Sequence, residues 1–225
     1  MLRSVRTLCV TLWVMVGLFW AVQAQAQCGP GGCRIPGAMP VARPPQPAPA
    51  RPVAPPQGQV PAAVRQCYYS LVRIHCEPWA GSGTYLGDHL VLTCEHVLRN
   101  GSTTITVTFP SGAACQARAV ARDAGADLAL LELLEAPPGE ARGIPLADSA
   151  PSVGEPIYTA GYGRGGALMV SAGRISNLDQ MTMAYDPTNR AERWRRTAEA
   201  TGLSESGDSG GAWLTPEGRL RGVVW

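Results

Sequence analysis

Lysine is absent: all 19 basic residues of this 225-residue chain are arginine. Acidic residues are absent before Glu77, where six arginines stand (Arg3, Arg6, Arg34, Arg43, Arg51, Arg65). All 17 acids share residues 67–225 with the remaining 13 arginines, so that part carries −4 although the whole chain carries +2. Such a balance gives no ground for a nucleic-acid partner. Cysteine is absent after Cys115, so the second half of the folded part has no internal cross-link. Charge is scarce at 16% against 45% hydrophobic residues, which excludes wholesale disorder. A long amphipathic helix is also missing. The 26 glycines and 20 prolines fit turns and short strands better.

What is present begins with an address. Arg3 and Arg6 precede a 15-residue apolar run, Leu8 to Val22, and Ala24-Gln25-Ala26 fits a small-x-small cleavage site. Residues 1–26 therefore read as a signal peptide, and a secreted or periplasmic location is expected. The run is short of the roughly 20 residues that span a bilayer, so membrane contact is expected only through an uncleaved signal segment. Residues 27–65 read as a proline-rich basic linker, with 11 of the 20 prolines between Pro30 and Pro61. The folded domain is expected over 66–225.

Export would leave six cysteines (Cys28, Cys33, Cys67, Cys76, Cys94, Cys115), an even set that suggests disulfides among 15 connectivities. His75-Cys76 and Cys94-x-His96 carry zinc-ligand residue types. Their spacing matches no common zinc module, so neither a metal nor any other cofactor is expected.

From Cys67 onward, short apolar runs alternate with turn signals. Strands are expected at 69–74, 83–86, 90–93, 103–108, 116–122 and 128–133. After a proline- and glycine-rich break they resume at 156–160, 169–176, 196–200, 212–214 and 220–224. The pattern is all-β, a pair of barrels or a sandwich.

Three motifs carry chemistry. Leu92-Thr93-Cys94-Glu95-His96-Val97 places a histidine where an apolar strand ends. An imidazole there can exchange a proton near neutral pH. His75 and His89 read as surface residues. Asp127 opens the run Leu128-Ala129-Leu130-Leu131, and a carboxylate at the mouth of a buried strand needs a hydrogen-bond donor. A histidine N–H would satisfy it and fix the ring's orientation. Asp123 reads as a turn cap. Gly207-Asp208-Ser209-Gly210-Gly211-Ala212 is a glycine-rich turn before a strand. It exposes the Ser209 hydroxyl, and the Gly207 and Ser209 amides can form an oxyanion hole.

The order His96, Asp127, Ser209, each beside a strand, resembles the chymotrypsin/trypsin-like serine proteases over about residues 71–225. Gly81-Ser82-Gly83-Thr84-Tyr85-Leu86, Val153-Gly154 with Tyr158-Thr159-Ala160-Gly161-Tyr162, and Gly218 to Val224 resemble further parts of the family. The compact spacing is nearer to bacterial and HtrA/Deg-type members. The resemblance implies two antiparallel β-barrels, about 67–136 and 150–225, with the active site between them. It implies a secreted serine endopeptidase acting on polypeptides, with His96, Asp127 and Ser209 as triad. A non-catalytic binding module and a protease–chaperone on the same fold are the alternatives.

The chain also departs from the family. No Arg/Lys-Ile-Val-Gly-Gly activation site precedes the first strand, so Asp208 needs a partner other than a new N-terminus. Cys94 and Glu95 replace small residues. Glu95 is expected either near the histidine or in solvent. Leu203 stands where the family sets its substrate pocket, which disfavours Lys or Arg substrates. Arg190, Arg193, Arg195 and Arg196, around Trp194, read as a basic loop. A strand the family adds after residue 225 is missing. The second barrel is therefore expected to be incomplete, and residues 27–225 poorly stable and weakly active.

Overall fold

The computed structural model describes residues 21–22, 60–98, 104–163, 166–186, 191–202 and 204–225, with backbone alone at 21–22, 182–186 and 191–196. In chain order its elements are β1 (Ala21–Val22), α1 (Ala62–Gln66), β2 (Leu71–Cys76), β3 (Trp79–Gly87), β4 (Leu90–Cys94), β5 (Ile105–Thr108), β6 (Ala114–Asp123) and β7 (Leu128–Leu133). There follow β8 (Pro156–Tyr162), β9 (Leu168–Asp186), β10 (Ala191–Ala200), β11 (Ala212–Leu214) and β12 (Leu220–Val224). All eleven expected strands are present, with shifted ends.

The first barrel closes in the order β2-β3-β4-β7-β6-β5, every pair antiparallel. Burial explains the sequence pattern of its strands. β4 is buried at every position and β7 at all but Glu132, so both read as continuous apolar runs. β6 alternates exposed and buried over Ala114–Arg118, the period of a strand with one face in water. Val72, Ile74, Val91 and Leu131 are fully buried inside. Each such side chain contributes roughly 1.5–3 kcal/mol on leaving water.

The second sheet runs β10-β9-β8-β11-β12, five antiparallel strands curled into a half-barrel. The two-residue β1 lies between its edges. Ala21 pairs in parallel with Thr197 and Val223, and Val22 with Ala198 and Val224. The expected shortfall of one strand is thus met by residues read as part of the signal segment. The rest of that segment lies outside the described residues, as do Cys28 and Cys33. The supposed basic loop is largely strand: Arg193, Arg195 and Arg196 pair with β9 across a ribbon from Ala191↔Asp186 to Ala200↔Ile175, while Arg190 is outside the described residues.

The described structure reaches back into what reads as linker. Val60 and Val64 are buried, and Cys67 Sγ donates to Gly218 O at 3.2 Å, tying α1 to the β11–β12 turn. The connector between the barrels is pinned near its middle to both of them, by Ile144 N to Tyr85 O (3.0 Å) and Leu220 N to Pro145 O (2.8 Å).

Cysteine behaves differently from the sequence expectation. Cys67, Cys76, Cys94 and Cys115 are all buried, and no disulfide links any two of them. Each sits on its own element among apolar neighbours, as a small hydrophobe does. Burial pushes the Cys67 thiol up to about 11, which keeps it protonated and inert.

Candidate active site

β4 and β7 deliver two of the three motif residues. Cys94, the last residue of β4, pairs with Leu128, the first of β7. Beyond Cys94 the chain tightens into a 3-10 turn, Glu95–Leu98, which carries His96. Asp127 immediately precedes β7. It is buried (1% exposed) and held at φ +56°, a left-handed conformation unusual for a residue with a side chain. Hydrogen bonds hold it there. Asp127 O accepts the Glu95 amide at 3.1 Å. Oδ1 accepts the His96 backbone N–H at 2.9 Å, and Oδ2 lies 2.7 Å from His96 Nδ1.

This geometry fixes the imidazole. A carboxylate oxygen only accepts, so Nδ1 carries a proton, and in the neutral ring Nε2 is the nitrogen with the lone pair. The His96 side chain is 31% exposed, whereas that of Asp127 is wholly buried. The arrangement leaves the imidazole partly open to solvent and oriented from behind by a carboxylate.

The Ser209 turn arrives from the second sheet and docks on the first barrel through Ser82, a buried residue of β3. The Ser82 amide donates to Ser209 O at 2.8 Å. Its hydroxyl donates to Gly207 O at 2.7 Å and accepts the Tyr162 amide at 2.7 Å. Its carbonyl accepts the Thr93 hydroxyl at 2.8 Å. Every polar group of Ser82 therefore bridges elements of the site.

Two glycines make the docking possible. Gly210 has φ +87°, and a Cβ there would lie 2.1 Å from Ser82 O, 2.3 Å from Thr93 Oγ1 and 3.1 Å from the Cys94 amide. The serine turn thus lies directly against the end of β4 that leads to His96. Gly207 has φ +104°, and a Cβ there would meet Tyr162 O at 2.5 Å. Among the described residues the amides of Gly207 and Ser209 have no acceptor, which leaves both N–H groups available to an oxyanion.

Around the site, several readings change. Glu95 does not reach into solvent. It is 9% exposed, and its carboxylate lies 3.6 Å from Arg122 of β6. Asp123 caps its turn as expected, with Oδ1 accepting the Ala126 amide at 2.9 Å. His75 sits 3.4 Å from Glu77, and His89 Nδ1 lies 3.3 Å from Leu133 O, both away from the cleft. Leu203 is outside the described residues. Asp208 is buried, and its Oδ2 accepts the Glu205 amide at 2.7 Å. Its Oδ1 is buried with no hydrogen-bond partner among the described residues. Burial raises its carboxyl above the ordinary range, opposed by the hydrogen bonds from the Glu205 amide and the Ser204 side chain.

The bridging role of Ser82 and the pairing of Arg122 with Glu95 were beyond sequence reasoning. Only the glycine-serine-glycine run around Ser82 hinted at close backbone approach.

Two antiparallel β-barrels meeting at such a seam form the chymotrypsin-like two-barrel fold, and the class is that of serine proteases. A family model for the trypsin-like peptidase domain matches residues 81–223, so the chain belongs to the trypsin-like peptidase family. Among solved structures, the active form of the Rv3671c protease from M. tuberculosis is 25% identical, with TM-score 0.63 over 83% of this chain and 82% of that one. An inactive mutant of the same protease is 26% identical, with TM-score 0.63 over 78% of this chain and 88% of that one. The serine endoprotease from Yersinia pestis, at 24% identity and TM-score 0.55, shares the fold over 72% of this chain and 55% of that one. No curated protein matches the chain.

Proposed function

We propose that the protein is an exported serine endopeptidase that cleaves polypeptides through His96, Asp127 and Ser209. The observation that carries the reading is the 2.7 Å contact of His96 Nδ1 with the buried Asp127 carboxylate, beside the docked Ser209 turn. His96 Nε2 takes the Ser209 hydroxyl proton as Oγ attacks the peptide carbonyl. Asp127 stabilises the imidazolium that results. The amides of Gly207 and Ser209 hold the oxyanion, one such donor being worth roughly 2.7–4 kcal/mol of barrier. Collapse expels the amine, protonated by His96, and leaves an acyl-enzyme on Ser209. Water, activated by the same imidazole, releases the acid.

The purely apolar Leu203 at the expected pocket position supports uncharged side chains before the scissile bond. The signal-like residues 1–26 support export to a secreted or periplasmic location. Replacing Ser209→Ala should abolish both peptide hydrolysis and labelling by a serine-directed fluorophosphonate. Persistent labelling of that variant would refute the assignment of the nucleophile.

A further inference from the structure

Behind the imidazole lies a third group that the proposed reaction does not use. Cys94 Sγ, a nitrogen of His96 and a carboxylate oxygen of Asp127 all lie within 4.8 Å of one another. We propose that Cys94, His96 and Asp127 form a binding site for a soft divalent cation, zinc in the first instance, which switches the peptidase off. The site itself depends only on this geometry. Its inhibitory consequence rests on the function proposed above.

The donor set suits zinc, which takes thiolate sulfur, imidazole nitrogen and carboxylate oxygen together. Three protein ligands leave a fourth position for water. Zinc bonds of about 2.0–2.3 Å in a tetrahedron hold neighbouring ligand atoms about 3.3–3.6 Å apart. The 2.7 Å Nδ1–Oδ2 pair must therefore open by less than 1 Å, and the sulfur, which donates to Val224 O at 3.2 Å, must leave that partner and approach by up to about 1.2 Å. Two of the ligands are set by paired strands, since Cys94 stands opposite Leu128 and Asp127 precedes Leu128 directly. The Asp127 carboxylate keeps an orienting donor during the change, because Oδ1 still accepts the His96 backbone N–H at 2.9 Å. A dication with one thiolate and one carboxylate is neutral overall, so the buried pocket is left with no uncompensated charge. The partly exposed ring of His96 is the entry, whereas Cys94 is only 1% exposed.

The proton balance explains why binding would inhibit. Cys94 loses its thiol proton to solvent. His96 coordinates through the Nδ1 lone pair, so its single ring proton moves to Nε2. Nε2, the nitrogen that the proposed reaction needs as proton acceptor, then donates and can no longer accept. The metal thus replaces the proton shared by His96 and Asp127 and inverts the tautomer the reaction needs.

The test uses the full chain and the metal alone. Cadmium is titrated into the Ser209→Ala protein, and the ultraviolet charge-transfer absorption of a cadmium–thiolate bond is followed. The proposal expects that band in Ser209→Ala and its loss when Cys94→Ser is added. His96→Ala, as the second added change, should weaken cadmium binding at least tenfold, and it decides the matter if the Cys94 variant fails to melt cooperatively. In the unsubstituted chain, zinc should inhibit peptide hydrolysis reversibly to chelator. Absence of the band, or its full survival in Cys94→Ser, overturns the site. A band without hydrolysis in the unsubstituted chain supports the site and overturns the peptidase function instead.

Discussion

The first barrel and the second sheet contribute to the site in different ways. The first barrel is a ring of six strands drawn entirely from residues 71–133, and it holds the histidine and its carboxylate on the paired ends of β4 and β7. The second sheet offers five antiparallel strands and closes only through two residues from far upstream, set parallel between β10 and β12. It holds the serine on a turn whose position is set by the other barrel, through Ser82 and the space beside Gly210. His96 is therefore held in place by its own barrel, and the Ser209 turn by a contact between the two. Damage to the first barrel should act on chemistry, and damage to the seam on alignment and stability.

The sharpest way to break that division is Asp127→Asn. Asparagine tolerates φ +56° and can still accept the His96 backbone N–H. Its amide N–H₂ would face Nδ1 and force the ring proton onto Nε2. The fold should persist while kcat falls about 10⁴-fold, the scale known for this change in a serine protease triad. Steady-state kinetics with unchanged thermal melting is the expected result. A drop below about tenfold would mean that Asp127 does not set the tautomer.

A smaller effect belongs to the seam. Ser82→Ala removes the donor to Gly207 O and the acceptor of the Tyr162 amide, both at 2.7 Å, and leaves two partly buried polar groups unpaired. Such losses cost about 1–3 kcal/mol each. Denaturant midpoints should fall accordingly, and kcat should fall with them, because the proposed mechanism takes the Gly207 amide as an oxyanion donor. Stability lost without any loss of kcat would show that the seam does not align the serine turn.

The same division separates what was legible in the sequence from what was not. The strands were legible because short apolar runs between turn residues state their own period. The meeting of His96 with Asp127 was legible because each ends or opens such a run, and the turn at Ser209 because its glycines announce it. Ser82 was not, since its role comes from residues 125 positions away in Gly207 and 80 away in Tyr162. The Glu95–Arg122 pair was hidden likewise, by the fold of β6 against the 3-10 turn. The parallel placement of β1 and the burial of Val60 and Val64 were also illegible, because nothing local marks a segment for pairing with a distant edge. The cysteines misled because an even count specifies no geometry, and these four thiols lie on separate elements.

Asp208 offers the smallest and most specific probe of the second sheet. Burial raises its carboxyl above the ordinary range, because Oδ1 meets no donor among the described residues and packs against Gly161, where a Cβ would lie 2.6 Å away. A carboxyl with a raised pKa binds its proton more tightly folded than unfolded. Stability is therefore unaffected below the unfolded value, near ~3.9. It falls as pH rises from there through the folded value, and the full penalty persists above it. Asp208→Asn removes that penalty while its carbonyl still accepts the Glu205 amide. The variant should match the unsubstituted protein in acid and exceed it at neutral pH by about 1 kcal/mol, the lower end of the cost of an unsatisfied buried acceptor. Urea unfolding at the two pH values measures the difference directly. An advantage that grows toward acid would mean that the carboxylate has a donor in solution and that its side of the seam is better satisfied than its burial indicates.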